Sequence, residues 1–159
     1  MRARAVAVVV AAVTLLAACG GGGGPAGKPL TDAQLVTRVD AQCVQLAAAG
    51  NDLVAAQDPS AQGAQLSGFL HSAARVLRAR VNDIGKLVPP TNLQGQVSQF
   101  VSLLNSYADQ LDALAARTRP GDTYEVLLTR SGSLVSSLNN LSDQANKIAD
   151  KLNFKDCAT

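Results

Sequence analysis

From residue 31 onward, apolar positions recur at alternating spacings of three and four, the signature of helices that each bury one stripe. Proline-containing breaks at Asp58-Pro59-Ser60, Pro89-Pro90-Thr91 and Arg119-Pro120-Gly121-Asp122 divide this part into four segments. The stripes read Val36, Val39, Cys43, Leu46, Gly50, Leu53 in the first segment and Leu66, Leu70, Ala73, Leu77, Val81, Ile84, Val88 in the second. They read Leu93, Val97, Phe100, Leu104, Tyr107, Leu111, Leu114 in the third and Leu127, Ser131, Leu134, Leu138, Leu141, Ala145, Ile148, Leu152 in the fourth. No period-two run of β-branched residues competes with them. Thr31-x-x-Gln34 and Asp122-x-x-Glu125 predict capping boxes. Asp58 followed by Pro59 predicts an N-cap with proline at the first helical position. The pattern therefore predicts an all-α domain, a single up-down-up-down four-helix bundle over residues 31–159. The three-and-four alternation favours crossing angles near about +20°.

The amino terminus follows a different rule. Met1-Arg2-Ala3-Arg4 is basic, and an uncharged apolar run follows from Ala5 to Ala18. These are the n-region and h-region of an export signal. A run of about 14 residues makes about 21 Å of helix, short of the ~30 Å of a bilayer core. It ends in Leu16-Ala17-Ala18-Cys19, which resembles the bacterial lipobox. That resemblance implies cleavage before Cys19, a thioether-linked diacylglycerol on its sulfur and a further acyl chain on the new amine. Two or three chains exceed what one chain needs for marginal anchoring. Gly20 to Gly24 and Pro25-Ala26-Gly27-Lys28-Pro29 then form a tether that cannot bury apolar surface. About ten such residues reach on the order of 18 Å. The expected organisation is a cleaved signal over 1–18, a lipidated cysteine and linker over 19–30, and the bundle over 31–159. The expected location is the cell membrane, on its extracytoplasmic side.

Cleavage changes the charge. The full chain has 14 Lys+Arg and 12 Asp+Glu, but Arg2 and Arg4 leave with the signal, so the mature chain is neutral. With 3% aromatic residues it lacks both the electrostatic footprint and the stacking platforms of a nucleic-acid binder. Cys43 and Cys157 remain after Cys19 is spent. In an exported chain this even remainder predicts a disulfide stapling the first helix to the carboxy terminus. Two buried free thiols or a redox pair are the alternatives, and no CxxC spacing supports the latter. Helix lengths oppose the bridge. In a flush bundle Cys43 lies about 21 Å, and Leu152 about 45 Å, below the level where the first helix ends. The residues from Leu152 to Cys157 span at most ~18 Å. Either the helices are staggered, or the last one stops early and Asn153-Phe154 turns the tail back. Gly132, and Gly50-Asn51-Asp52, are places where a break would help.

Candidate chemistry is sparse. Glu125 is the sole glutamate, His71 the sole histidine and Met1 the sole methionine. Carboxylate-bridged di-iron, His/Met haem ligation and tetrahedral zinc all demand more than this. No catalytic residue, metal or cofactor is expected. His71, Arg75, Arg78 and Lys86 form a basic stripe on the second segment, with Arg80 to one side. It is either an ordinary charged face or a surface for anionic headgroups and acidic wall polymers. Gly63, Gly68, Ala73 and Ala74, together with Ser131, Gly132 and Ser133, leave room for an apolar ligand or simply permit close helix approach.

Taken together, the chain resembles the small Ala-rich helical lipoproteins of high-GC Gram-positive (actinobacterial) bacteria. The residues that carry the likeness are the lipobox with its glycine run, Val39-Asp40-Ala41-Gln42-Cys43 and Leu87-Val88-Pro89-Pro90. Pro120-Gly121-Asp122 and Ala149-x-x-Leu152-x-Phe154-x-x-Cys157 complete it, with Asn153 where that group usually has glycine. The resemblance implies the location and the cysteine pair, and no activity. The expected role is a non-enzymatic module that binds an envelope protein or an amphiphile. A purely structural spacer, and an enzyme built on His71, are the alternatives.

Overall fold

A computed structural model of the chain describes residues 27–58 and 60–157. The signal segment and Cys19 lie outside the described residues. Five α-helices follow in order: α1 (Asp32–Ala56), α2 (Ala64–Gly85), α3 (Gln94–Ala116), α4 (Tyr124–Arg130) and α5 (Gly132–Leu152). Among the described residues there is no strand, so the all-helical expectation holds. None of these helices is long and apolar enough to cross a membrane.

The helix starts follow local chemistry. Thr31 forms the predicted capping box: its Oγ1 accepts from Gln34 N–H at 3.3 Å and its own N–H donates to Gln34 Oε1 at 3.0 Å. The second start differs from expectation. Asp58 does not cap α2; its Oδ1 accepts from the N–H and hydroxyl of Ser60 at 2.8 and 2.7 Å, making a local turn. The helix begins only at Ala64, after Gly63 at φ 52°. That conformation suits glycine, and an added Cβ there would sit 3.3 Å from Pro120 Cα and Gly121 N. Two connections thus touch at one pole, where Gly63 N–H donates to Asp122 O at 3.0 Å. At the opposite pole Leu30 N–H donates to Val88 O at 2.9 Å, docking the start of α1 on the turn between α2 and α3.

The fourth segment is two helices. Ser131, fully buried, sits at φ −105° and ψ 28° between α4 and α5, and its Oγ has no partner among the described residues. Gly132 follows it, a residue of low helix propensity. Arg130, just before it, is pulled back onto the preceding connection by Asp122. The apolar stripe continues across the break, so Leu127 and Leu138 still share one cluster.

Packing runs α1 on α2, α2 on α3 and α3 on α5. Near the pole where the chain enters, Leu35, Val39 and Cys43 meet Ile84, Phe100, Ile148 and Leu152 in a core shared by four helices. Ala74, Leu77, Val81 and Ala108 fill the middle, with Leu46 against them. At the far pole Leu66, Leu70, Leu114, Leu127 and Leu138 pack together without α1. The first stripe was expected to stay buried through Leu53, but full burial stops at Cys43. Beyond it Leu46 and Leu53 are half-buried, and Val44 and Val54 are 53% and 63% exposed.

The conflict over the bridge is resolved by turning the tail. Asn153 adopts the left-handed conformation at φ 59°, and Phe154 N–H returns to Ala149 O at 2.9 Å. Phe154 enters the core, 1% exposed, with its ring centroid 5.7 Å from that of Phe100. Asp156 N–H donates to Asp40 Oδ1 at 3.2 Å, and the chain arrives beside α1. Cys43 and Cys157 then lie at disulfide distance, with Cα atoms 5.2 Å apart and sulfurs at 1.97 Å.

Closing a loop of 114 residues is worth about 4–5 kcal/mol in chain-entropy terms. Reduction should therefore lower the melting temperature by about 10–20 °C for a domain of this size. Circular dichroism melts with and without reductant, alongside a Cys43→Ser/Cys157→Ser variant, check this. Identical melts for all three samples would refute it.

Candidate functional site

The basic stripe lies where its spacing placed it, and every member but Arg75 is paired with a carboxylate. His71 and Arg78 reach from α2 to α3, which presents Asp109 and Asp112 one turn apart. His71 Nδ1 lies 2.6 Å from Asp112 Oδ1. Arg78 donates to Asp112 Oδ2 at 2.5 Å and to Asp109 Oδ1 at 2.6 Å. Lys86 Nζ donates to Asp83 Oδ1 at 2.7 Å, Arg80 to Gln45 Oε1 at 2.7 Å, and Arg75 to Ser72 Oγ at 3.1 Å. Hydrogen bonds from His71 and then Arg78 hold the Asp112 carboxyl below its ordinary range. Asp109 and then Asp112 push the Arg78 guanidinium up. Contact with Lys86 lowers Asp83. The stripe is thus a mostly ion-paired belt, tied to α3 through His71 and Arg78 and to α2 itself through Lys86. Exposed pairs of this kind contribute roughly 0–1 kcal/mol each. Asp109 and Asp112 were not singled out from sequence. Their spacing of three opposite cations spaced by three and four on the neighbouring segment was the available signal.

His71 is 54% exposed at its side chain, and Asp112 occupies Nδ1. No hydroxyl is hydrogen-bonded to the His71 ring among the described residues. The small residues do not converge either. Gly68 and Gly132 are exposed, while Ala74 is buried in the middle of the core and Ser131 at the break between α4 and α5. Gly68 instead lines a hollow of about 300 Å³ with Leu53, Ala61 and Phe69 on the seam between α1 and α2. Another, of about 510 Å³, lies between Val36, Leu93, Lys151 and Leu152 at the entry pole. Among the described residues no three His, Cys, Asp or Glu side chains are placed to hold a metal ion.

The best-ordered polar centre is one the sequence assigned to a different task. Asp122 was expected to cap the fourth helix with Glu125, yet Thr123 is the cap, its Oγ1 accepting from Val126 N–H at 3.4 Å. Asp122 turns inward, buried, because the preceding connection offers it stronger donors. Its carboxylate accepts from Arg119 N–H at 2.6 Å and from Arg130 Nη1 at 2.8 Å, and also engages Arg130 Nη2. Arg130 Nη2 further donates to Arg117 O at 2.6 Å. This clamp pulls the end of α4 onto the end of α3. Beside it, Ala116, Arg117, Thr118, Arg119 and Arg130 line a hollow of about 380 Å³. The Arg130 guanidinium, helped by the Arg119 amide, holds the Asp122 carboxyl down at about 2.

A carboxyl depressed by folding stabilises the fold above its unfolded value of 3.8, and that contribution is lost as pH falls through about 2. Asp122→Asn should therefore melt below the parent at neutral pH, with the gap closing between about pH 4 and pH 2. Paired thermal scans across that range test it, and a gap that stays constant down to pH 2 would contradict the clamp.

Comparison with protein-family models, with curated proteins and with solved structures finds no match to this chain.

Proposed function

We propose that this chain is an exported lipoprotein, acylated on Cys19 after removal of residues 1–18 and held at the extracytoplasmic face of the cell membrane. Residues 19–30 serve as its lipid-bearing tether, and the helical domain acts as a non-enzymatic binding or interaction module of the envelope. The carrying observation is the Arg-flanked apolar run that ends in Leu16-Ala17-Ala18-Cys19. Two features of the fold support the reading. The helical domain starts immediately after the glycine- and proline-rich segment, at a docked Leu30. The remaining cysteines lie at disulfide distance, which suits an oxidising compartment. Connections that alternate between two poles support an up-down-up-down bundle, with α4 and α5 together as a broken fourth helix. The likeness to Ala-rich actinobacterial lipoproteins points the same way. A binding role rather than turnover is supported by a histidine without a hydroxyl partner and by the mostly ion-paired belt around it.

Fractionation of cells expressing the full chain tests the proposal. The wild type should enter the membrane fraction, and mass spectrometry should return a first peptide beginning at an acylated Cys19. Cys19→Ala should remain as an unprocessed precursor or be released. A Cys19→Ala protein that is processed and membrane-bound like the wild type would overturn the anchor. Turnover of an envelope substrate that disappears in His71→Ala would overturn the non-enzymatic role.

A further inference from the structure

Three arginines line the hollow of about 380 Å³ at the far pole: Arg117 at the C-cap of α3, Arg119 in the connection after it, and Arg130 at the end of α4. A single carboxylate is bonded among them. Asp122 commits both oxygens to Arg130 and one also to the Arg119 amide, and it is buried. The Arg117 and Arg119 side chains make no hydrogen bond or ion pair among the described residues, and the Arg119 side chain, unlike its amide, acts on Asp122 only through space. Other acids at this pole are not bound to them. Glu125 forms no ion pair with the three, and Asp58 spends Oδ1 on Ser60. Three cations against one anion leave two positive charges on one small concavity.

Arginines at a helix end often serve to cover orphan carbonyls and complement the dipole. At the end of α3 that task is already done. Arg130 takes Arg117 O, Thr118 Oγ1 reaches Leu114 O at 3.5 Å, and Thr118 N–H takes Ala115 O at 3.1 Å. The Arg117 and Arg119 side chains are left over.

We propose that this hollow binds a phosphate-bearing anion, with Arg130 as a fixed donor and Arg117 and Arg119 as mobile arms that close on the ligand. Arg130 is pre-oriented by Asp122 and Arg117 O, so its remaining Nε and Nη1 hydrogens need no ordering on binding. A phosphate dianion matches the excess charge and has oxygens enough for the forks of Arg117 and Arg119 and a single bond from Arg130, whereas a carboxylate offers one charge and two oxygens in all. The site also has a direction. α3 spans 23 residues, about 35 Å, between the pole where Leu30 docks and this hollow. The ligand is held at the end remote from the tether. The site deepens the binding-module reading above without needing the anchor, because phosphate binding and acylation of Cys19 are measured separately.

The test uses the full chain, isotope-labelled, in nonionic detergent at low ionic strength and about pH 7.5, where phosphate is mostly dianionic. Inorganic phosphate and tripolyphosphate are titrated in separate arms, with acetate as the carboxylate control. Saturable shifts are expected for the Arg130 Nε–H and for the amides around Arg117 and Arg119. Arg117→Gln/Arg119→Gln should weaken binding about tenfold or more while amide shifts elsewhere stay in place, and Arg119→Gln alone should give a smaller loss. Equal affinity in the two phosphate arms assigns a single phosphate group, and tighter tripolyphosphate assigns a linked chain of them. No saturable shift up to about 20 mM phosphate, an affinity unchanged in the double variant, or acetate binding as well as phosphate would each overturn the site.

Discussion

The return of the last residues onto the first helix is the constraint on which the rest of this structure depends. α1 packs along α2, and it meets α5 chiefly through the core at the entry pole. Without a further tie, the first helix would be held from one side over most of its length. The tail supplies that tie in two independent ways. A left-handed residue costs roughly 1–2 kcal/mol in general, less for asparagine, and Asn153 accepts that cost to reverse the chain. Full burial of Phe154 against Phe100 offsets it, at about 1.5–3 kcal/mol for such a side chain. Cys157 is delivered to Cys43 by a segment that hydrophobic packing has already docked. The cysteine pair therefore secures an arrangement that the core selects.

The two poles are stabilised by different physics. At the entry pole four helices and the tail share apolar side chains, so burial dominates there. At the far pole α1 has withdrawn from the core, and two irregular connections meet with little apolar surface between them. The Asp122–Arg130 clamp takes over the task of closing the structure. It joins the end of α3 to the end of α4, and Asp122 lends its carbonyl to Gly63 on the other connection. A charged group bonded this completely is specific in geometry, because a lost partner leaves a buried carboxylate unpaired. The break at Ser131 is the local consequence: drawing Arg130 back to the clamp interrupts the helix one residue later.

Much of this was legible in the sequence, and the failures share one cause. Helix-period stripes, proline breaks and the Thr31–Gln34 box located three helices and most of a fourth, because each signal is local. The tail reversal followed from arithmetic on Cys43, Leu152 and Cys157, where rise per residue left few solutions. Asp58 and Asp122 misled because both looked like helix caps, while their actual partners are Ser60 in a tight turn and Arg130 eight residues on. The stripe of His71, Arg75, Arg78 and Lys86 left two readings open, an ordinary charged face or an anion-binding surface, because the carboxylates that pair with His71 and Arg78 sit on the next helix. Leu46 and Leu53 were the reverse case, placed on the buried stripe by their spacing yet only half-buried. Ala41 to Ala56 carries one charge, Asp52, and a helix apolar all round reads as buried. Which side of such a helix finds neighbours is decided by the other helices, not by its own pattern.

A net charge of only +2 conceals how the cations are sorted. All five lysines, Lys28, Lys86, Lys147, Lys151 and Lys155, fall at the entry pole or on the segment leading to it. Asp32, Asp40, Asp83, Asp143, Asp150 and Asp156 lie in the same region, together with Arg38 and Arg80, so that end is close to balanced. The cations of the far hollow are all arginine. Lysine is a compact, strongly hydrated charge, while arginine presents a planar fork suited to bonded networks and oxyanions. The sorting matches what each end must do. At the entry pole hydrophobic packing carries the structure, and charge serves only solvation. At the far pole Arg130 is structural, and its neighbours Arg117 and Arg119 share the same hollow with one buried carboxylate between the three. Local stoichiometry of charge, rather than the net charge of the chain, therefore decides where an anion would be recognised.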